Sequence, residues 1–215
     1  MYQIAKQVFM AAVLGCITQF AIAGGDPAAG KDKATICAAC HGSDGNSPAP
    51  TFPKIAGLGE KYILKQMNDI QSGMRNVPEM TGMLDSFSEQ DKADIAAYFA
   101  SQSMQLSGAK EFMILTNQGE EVDALPLGKR IFRAGNAESG VPACMGCHSP
   151  TGQGNSPAGY PRLSGQYPEY IEKQLRAFRA GERTNDGDSK VMRSVARNLT
   201  DAELKAVANY IAGLN

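Results

Sequence analysis

The chain has 215 residues, 43% of them hydrophobic, which is enough for one large domain or two small ones. Its 21 basic and 22 acidic side chains leave a net charge near −1, with no low-complexity tract. Such a balance argues against nucleic acid as a partner.

Residues 1–23 differ from the rest. Lys6 is their only charge, and VFMAAVLGCITQFAIA follows, ending in Ala21-Ile22-Ala23. A short apolar run with a small-residue A-x-A end is the pattern of a signal peptide, expected to be cleaved after Ala23. A membrane span fits less well, because the run is short, Gln19 interrupts it and no basic stop-transfer cluster follows. Val13-Leu14-Gly15-Cys16 is a weaker alternative, a lipoprotein box with an anchor at Cys16. Both readings export the chain, so its other four cysteines work in an oxidising compartment. No later hydrophobic stretch is long enough to cross a bilayer, and membrane association is expected to be peripheral at most.

The first element after the leader is a helix around Gly30-Lys31, whose glycine would let another helix cross closely. CAACH follows at 37–41, then a loop with Gly45-Asn-Ser-Pro-Ala49 and Phe52-Pro53-Lys54-Ile55. Tyr62, Ile63, Gln66, Met67 and Ile70 then mark one stripe of an amphipathic helix. Gly73 and Arg75 come next, then PEMTGM at 78–83. Ser88 to Asp91 is a capping-box pattern opening a second amphipathic helix through Ile95, Tyr98 and Phe99. These elements make a first domain over 24–102.

Residues 103–123, SMQLSGAKEFMILTNQGEEVD, match nothing else in the chain and read as a linker, with Phe112–Leu115 apolar enough to dock on a domain surface. The whole pattern then repeats over 124–215. Gly128-Lys129, CMGCH at 144–148, Gly154–Ala158 and Tyr160-Pro161-Arg162-Leu163 follow in the same order. Tyr170, Ile171, Gln174, Leu175, Phe178, Gly181 and Arg183 stand 108 residues after their counterparts, and Val207, Tyr210 and Ile211 stand 112 after theirs. Thr200-Asp-Ala-Glu203 is the second capping box. The fold class is therefore all-α, in two tandem domains of roughly 80–90 residues. Units this small have little core of their own, so something bulky and apolar must fill each.

Two cysteines three apart near a helix end can form thioethers to the two vinyl groups of one haem, and the next histidine can ligate the iron from the same side. Cys37 and Cys40 would attach one haem c, Cys144 and Cys147 a second, with His41 and His148 as iron ligands. A structural zinc would need four ligands and leave both histidines unexplained. A thioredoxin-like disulfide would need a βαβ setting that is absent. The chain has two histidines, both inside CxxCH, so neither iron can take a second one. Methionine is the expected sixth ligand, and it raises the reduction potential. In the second half Met145 lies between the cysteines, which leaves Met192. In the first half Met67 lies on the apolar stripe and Met74 has no methionine counterpart. At the offset of 112, Met80 falls on Met192, so Met80 is the expected ligand and Met83 a core filler. With His and Met on both irons no site is open to substrate, which points to electron transfer and not to an enzyme.

Two CxxCH repeats, GNSPA after each, Tyr-x-x-x-Gln helices, EMTGMLD, and TNDGD before the second methionine together resemble the dihaem cytochrome c4 family. The resemblance implies two class I cytochrome c folds related by a pseudo-twofold axis, with haem propionates near the domain interface. It also implies that the carbonyls of Pro53 and Pro161 accept the Nδ1–H of His41 and His148. Arg75 and Arg183 are then candidate partners for propionates. The function implied is that of a periplasmic carrier of single electrons in a respiratory chain. It would take them from a donor such as a quinol-oxidising complex and pass them to an acceptor such as a haem–copper terminal oxidase. The rival readings are a haem enzyme, a peroxidase or sulfur-compound dehydrogenase with one open iron, and an electron-transfer subunit of a larger dehydrogenase. Charge fits a docking role. Residues 24–102 hold 7 basic and 10 acidic side chains, 103–123 hold 1 and 4, and 124–215 hold 12 and 8. The resulting dipole can orient a carrier on an acidic partner.

Overall fold

The computed structural model describes residues 24–215. The signal-peptide reading of 1–23, with its alternative at Cys16, lies outside the described residues. In the first half, α1 (Pro27–Lys33) leads through a 3-10 turn, Ala34–Cys37, into the single-turn α2 (Ala38–His41). Helix α3 (Glu60–Gln71), the 3-10 turn Pro78–Met80 and α4 (Glu89–Ala100) follow. The second half repeats the order with α5 (Ala124–Ala134), α6 (Met145–His148), α7 (Pro168–Ala180), α8 (Val191–Arg197) and α9 (Asp201–Gly213). No described helix is long and apolar enough to cross a membrane.

In each half the first helix crosses the last, and a glycine makes the crossing possible. A Cβ added at Gly30 would stand 2.0 Å from the Asp94 carbonyl oxygen, and one at Gly128 would stand 2.1 Å from that of Ala206. Real side chains never approach backbone so closely, so only glycine fits here. Both capping boxes form. Ser88 accepts from the Asp91 N–H and Thr200 from the Glu203 N–H, while each acidic side chain returns to its cap's backbone N–H. The caps stand 112 residues apart, which fixes the register of the C-terminal part of the repeat.

Two cores result. The first gathers Ala34, Leu58, Ile63, Met67, Leu84, Ile95 and Phe99; Met67 lies in it, as its place on the stripe predicts. The second gathers Leu127, Ile131, Phe132, Val141, Ile171, Leu204, Val207 and Ile211. Each buried Leu, Ile or Phe contributes roughly 1.5–3 kcal/mol. Segment 103–123 is tied to both halves. Met104 is buried in the first core, while Ser107 N–H donates to Gly165 O and Gly108 N–H to Ala212 O. Its end is not helical. Strands β1 (Met113–Leu115) and β2 (Glu121–Asp123) pair antiparallel around a turn, with Phe112 and Ile114 packed on the second core as their apolar character predicts.

One prediction fails locally. Met83, expected as core filler, is 38% exposed, and Leu84 beside it takes the buried position at 4%. Met83 and Leu84 lie in the irregular turn that follows the 3-10 segment Pro78–Met80, and there the aliphatic side chain is the one that faces inward.

Candidate haem sites

Each CxxCH motif lies at the end of a short helical segment, and its histidine is buried at 9% for His41 and 7% for His148. The residue after each histidine must turn back with positive φ. Gly42 does so at 77°, and Ser149 does so at 67° without being glycine. The chain then returns over the ring. His41 Nδ1 donates to Pro53 O at 2.9 Å, and His148 Nδ1 donates to Pro161 O at 2.9 Å. A carbonyl can only accept, so the proton is on Nδ1 and Nε2 keeps its lone pair. Burial pushes both imidazoles below their ordinary pKa, against the raising effect of the proline carbonyls, and so favours this neutral form. A neutral imidazole with a fixed tautomer is the state a metal ligand requires.

Burial raises the Cys37 thiol and pushes Cys144 up to about 11. Both are therefore neutral thiols at neutral pH. Cys37 and Met80 pack against the first core and Cys144 against the second. Met80 ends its 3-10 turn and lines a cleft with Ile70, Val77 and Leu84. Met192 lies in the first turn of α8, half-buried. The donor set therefore fits a haem c in each half.

The loops after the histidines correct the repeat alignment. In the first half the Ile55 and Ala56 N–H groups donate to Gly45 O at 2.8 and 3.2 Å. In the second half the Leu163 and Ser164 N–H groups donate to Gly152 O at 2.8 and 3.0 Å. Gly45 is thus the structural counterpart of Gly152, not of Gly154. The shared Gly-Asn-Ser-Pro-Ala letters sit two residues out of register. Asn46 binds Asp44, Ser103 O and the Gln105 N–H, while Asn155 closes a small turn with Tyr160.

Between the halves lies a network that sequence reasoning placed only in part. Arg75 donates to Gln66 of its own domain at 2.8 Å, and to Tyr170 at 3.0 Å and Gln174 at 3.3 Å of the other. Arg183 donates to Gln174 of its own domain at 2.7 Å, and to Tyr62 at 3.2 Å and Gln66 at 3.0 Å across the interface. Every residue and its repeat partner exchange roles, which is the signature of a pseudo-twofold contact. The pairing of these residues in the repeat was the available signal. The ion pairs among the described residues involve neither arginine. The symmetry breaks at Asn185, which donates to Gln66 at 2.9 Å and to Asp69 at 2.6 Å. The repeat counterpart of Asp69 is Ala177.

A second contact has no symmetric copy. Lys54 is 4% exposed, and its ammonium donates to Gln105 O at 2.5 Å, Ser107 Oγ at 2.9 Å and Gly165 O at 3.3 Å. It also lies 4.6 Å from the centre of the Tyr167 ring, whose hydroxyl donates to Ser47 O at 2.6 Å. Burial lowers its pKa. Nothing in the local sequence distinguishes this lysine from an exposed one.

Comparison with known proteins agrees with this geometry. The cytochrome c family model matches residues 28–103 and again 126–215. Cytochrome c4 of Pseudomonas aeruginosa is 53% identical, over 93% of this chain and 94% of its own length. A thiosulfate dehydrogenase electron acceptor of Stutzerimonas stutzeri is 35% identical, over 84% of this chain and 80% of its own. The crystal structure of reduced recombinant cytochrome c4 from Pseudomonas stutzeri superposes with a TM-score of 0.81 at 48% identity, covering 89% of this chain and all of that one. With two CxxCH units, each histidine braced on a proline carbonyl and the two halves docked about a pseudo-twofold axis, the chain belongs to the cytochrome c4 family of dihaem electron carriers.

Proposed function

We propose that the chain is a periplasmic carrier that takes single electrons from a quinol-oxidising complex and delivers them to a haem–copper terminal oxidase. Cys37 and Cys40 hold the first haem and Cys144 and Cys147 the second. His41 with Met80 and His148 with Met192 would ligate the two irons, within domains 24–102 and 124–215 joined by 103–123. The bound haems supply the Fe(III)/Fe(II) couple. The chain's own residues bury the histidines, fix their tautomer and keep water from them, so that an electron enters and leaves with little rearrangement. The observation that carries the reading is the pair of 2.9 Å His–Pro bonds in a chain with no third histidine. Each ring is set up to ligate from one side, and methionine is left for the other. Arg75, half-buried, and Arg183, buried, bring positive charge to the interface, which supports a role toward haem propionates. The basic second domain supports docking on an acidic partner.

The test is a spectroelectrochemical titration of the oxidised protein followed in its methionine–iron band. Two low-spin haems at positive potentials are expected, with Met80→Leu and Met192→Leu each abolishing the band of one haem. A high-spin haem in the resting protein would instead favour an enzyme. The similarity to a thiosulfate dehydrogenase electron acceptor supports a second reading in which the donor is a sulfur-compound dehydrogenase. Reduction by such an enzyme faster than by a quinol-oxidising complex would favour it.

A further inference from the structure

The peptide group joining Pro53 to Lys54 is used at both ends. Its carbonyl accepts from His41 Nδ1 at 2.9 Å. Its N–H, on Lys54, donates to Oε1 of Gln166 at 3.0 Å, a side chain of the second domain. Gln166 is 2% exposed and held from both sides. Its Nε2 donates to Lys54 O at 2.7 Å, and the Tyr167 N–H donates to its Oε1 at 3.0 Å. Turning the amide over would set donor against donor, so its orientation is fixed.

The second half has no such arrangement. His148 donates to Pro161 O at the same 2.9 Å, but no acceptor among the described residues takes the Arg162 N–H. The register here is secure, because Gly57 N–H donates to Phe99 O as Gly165 N–H does to Ile211 O. The counterpart of Gln166 is therefore Leu58, which is apolar.

An amide whose N–H is bonded carries more negative charge on its oxygen, because hydrogen bonds in a chain polarise one another. A stronger acceptor at Nδ1 makes the imidazole more basic and favours the oxidised iron it would ligate. We infer that Gln166 is a positioning residue through which the second domain lowers the reduction potential of the first haem. The chain of bonds runs from Gln166 Oε1 through the Lys54 N–H and the Pro53 carbonyl to His41 Nδ1, and no matching chain runs the other way. The inference rests on His41 being an iron ligand.

The experiment uses the dihaem protein. Gln166→Leu installs the residue found at 58 and removes the acceptor. At a fixed applied potential the oxidised-to-reduced ratio of the first haem should fall about threefold, or about 28 mV at roughly 59 mV per tenfold for one electron, while the second haem stays in place. In nitrogen-edited NMR of the reduced protein, the His41 Nδ1–H resonance should move and that of His148 should not. Gln166→Glu keeps an acceptor for the Lys54 N–H, gives up the Nε2 donor to Lys54 O and adds charge, so the first haem should move to lower potential. Lys61→Ala removes another cross-domain bond, the 3.1 Å contact to Pro157 O, and should move neither haem. Equal shifts of both potentials, or an unmoved His41 resonance, would overturn the inference and leave Gln166 as a domain fastener only. If Gln166→Leu does not fold, the glutamate variant decides, and an unchanged first potential counts against the relay. A His41 resonance free of any haem-induced shift in the unaltered protein would instead show that the ligand assignment had failed.

Discussion

The two domains cross their first and last helices over the same glycine but fasten the crossing differently. In the first, Lys33 bridges Asp91 at 2.7 Å and Asp94 at 2.6 Å, and Asp94 also accepts from the Asp26 N–H at 2.9 Å. In the second, no ion pair joins α5 to α9 among the described residues. Phe132 and Leu204 are fully buried there, and Phe132 meets Tyr210 with ring centres 5.6 Å apart. The difference teaches that the glycine sets the geometry while the fastening is free to vary. Charge pairs at a half-exposed seam are sensitive to pH and salt, whereas a buried aromatic is not.

The largest effect should come from filling the crossing itself. Gly30→Val and Gly128→Val should each lower stability by about 3 kcal/mol through overpacking against backbone, measured by guanidinium unfolding of the haem-loaded protein. Equal losses would show that the crossing matters more than its fastening. A tolerated valine in either half would break the comparison. The interface should come next. Arg183 makes four side-chain bonds there and Arg75 three. Arg183→Met should cost about 3 kcal/mol and Arg75→Met about 2 kcal/mol, since charged hydrogen bonds are the strong ones. Unfolding of the two single variants and the double variant would reveal the coupling through Gln66 and Gln174.

The smallest effect concerns acid. Lys33, ahead of Ser88, holds the Asp91 carboxyl at about 2, below its unfolded 3.8. A depressed carboxylate contributes stability that is present above 3.8 and lost as pH falls through about 2. The same pairing raises Lys33 above 10.5, so its share is lost only as pH rises beyond that. Lys33→Met should flatten the acid limb of unfolding in the first domain, followed at its own haem, and leave the second unchanged. Identical acid limbs before and after the change would show that the clasp contributes nothing.

Much of each site was legible because its determinants are local. CxxCH, the prolines 12 and 13 residues on, the capping boxes and the crossing glycines all act within one repeat, and the repeat supplies a second reading of each. Letters misled where a loop could shift without cost. Gly-Asn-Ser-Pro-Ala recurs, yet its two copies sit two residues apart in register, because one ties down segment 103–105 and the other closes on Tyr160. Met83 misled because residues 81–86 form an irregular turn with no helical or strand period to say which side chain faces inward.

The sequence by itself determined two all-α units, a haem motif in each and the histidine, proline and glycine positions that serve it, since spacing along a helix or turn fixes which groups meet. Only the tertiary structure decided that Arg75 and Arg183 exchange partners across the interface, that Lys54 is buried and that Gln166 reaches the peptide behind His41. Those contacts join residues 51 to 121 positions apart. No periodicity reaches so far, and they exist only because two half-filled domains bury their polar faces against each other.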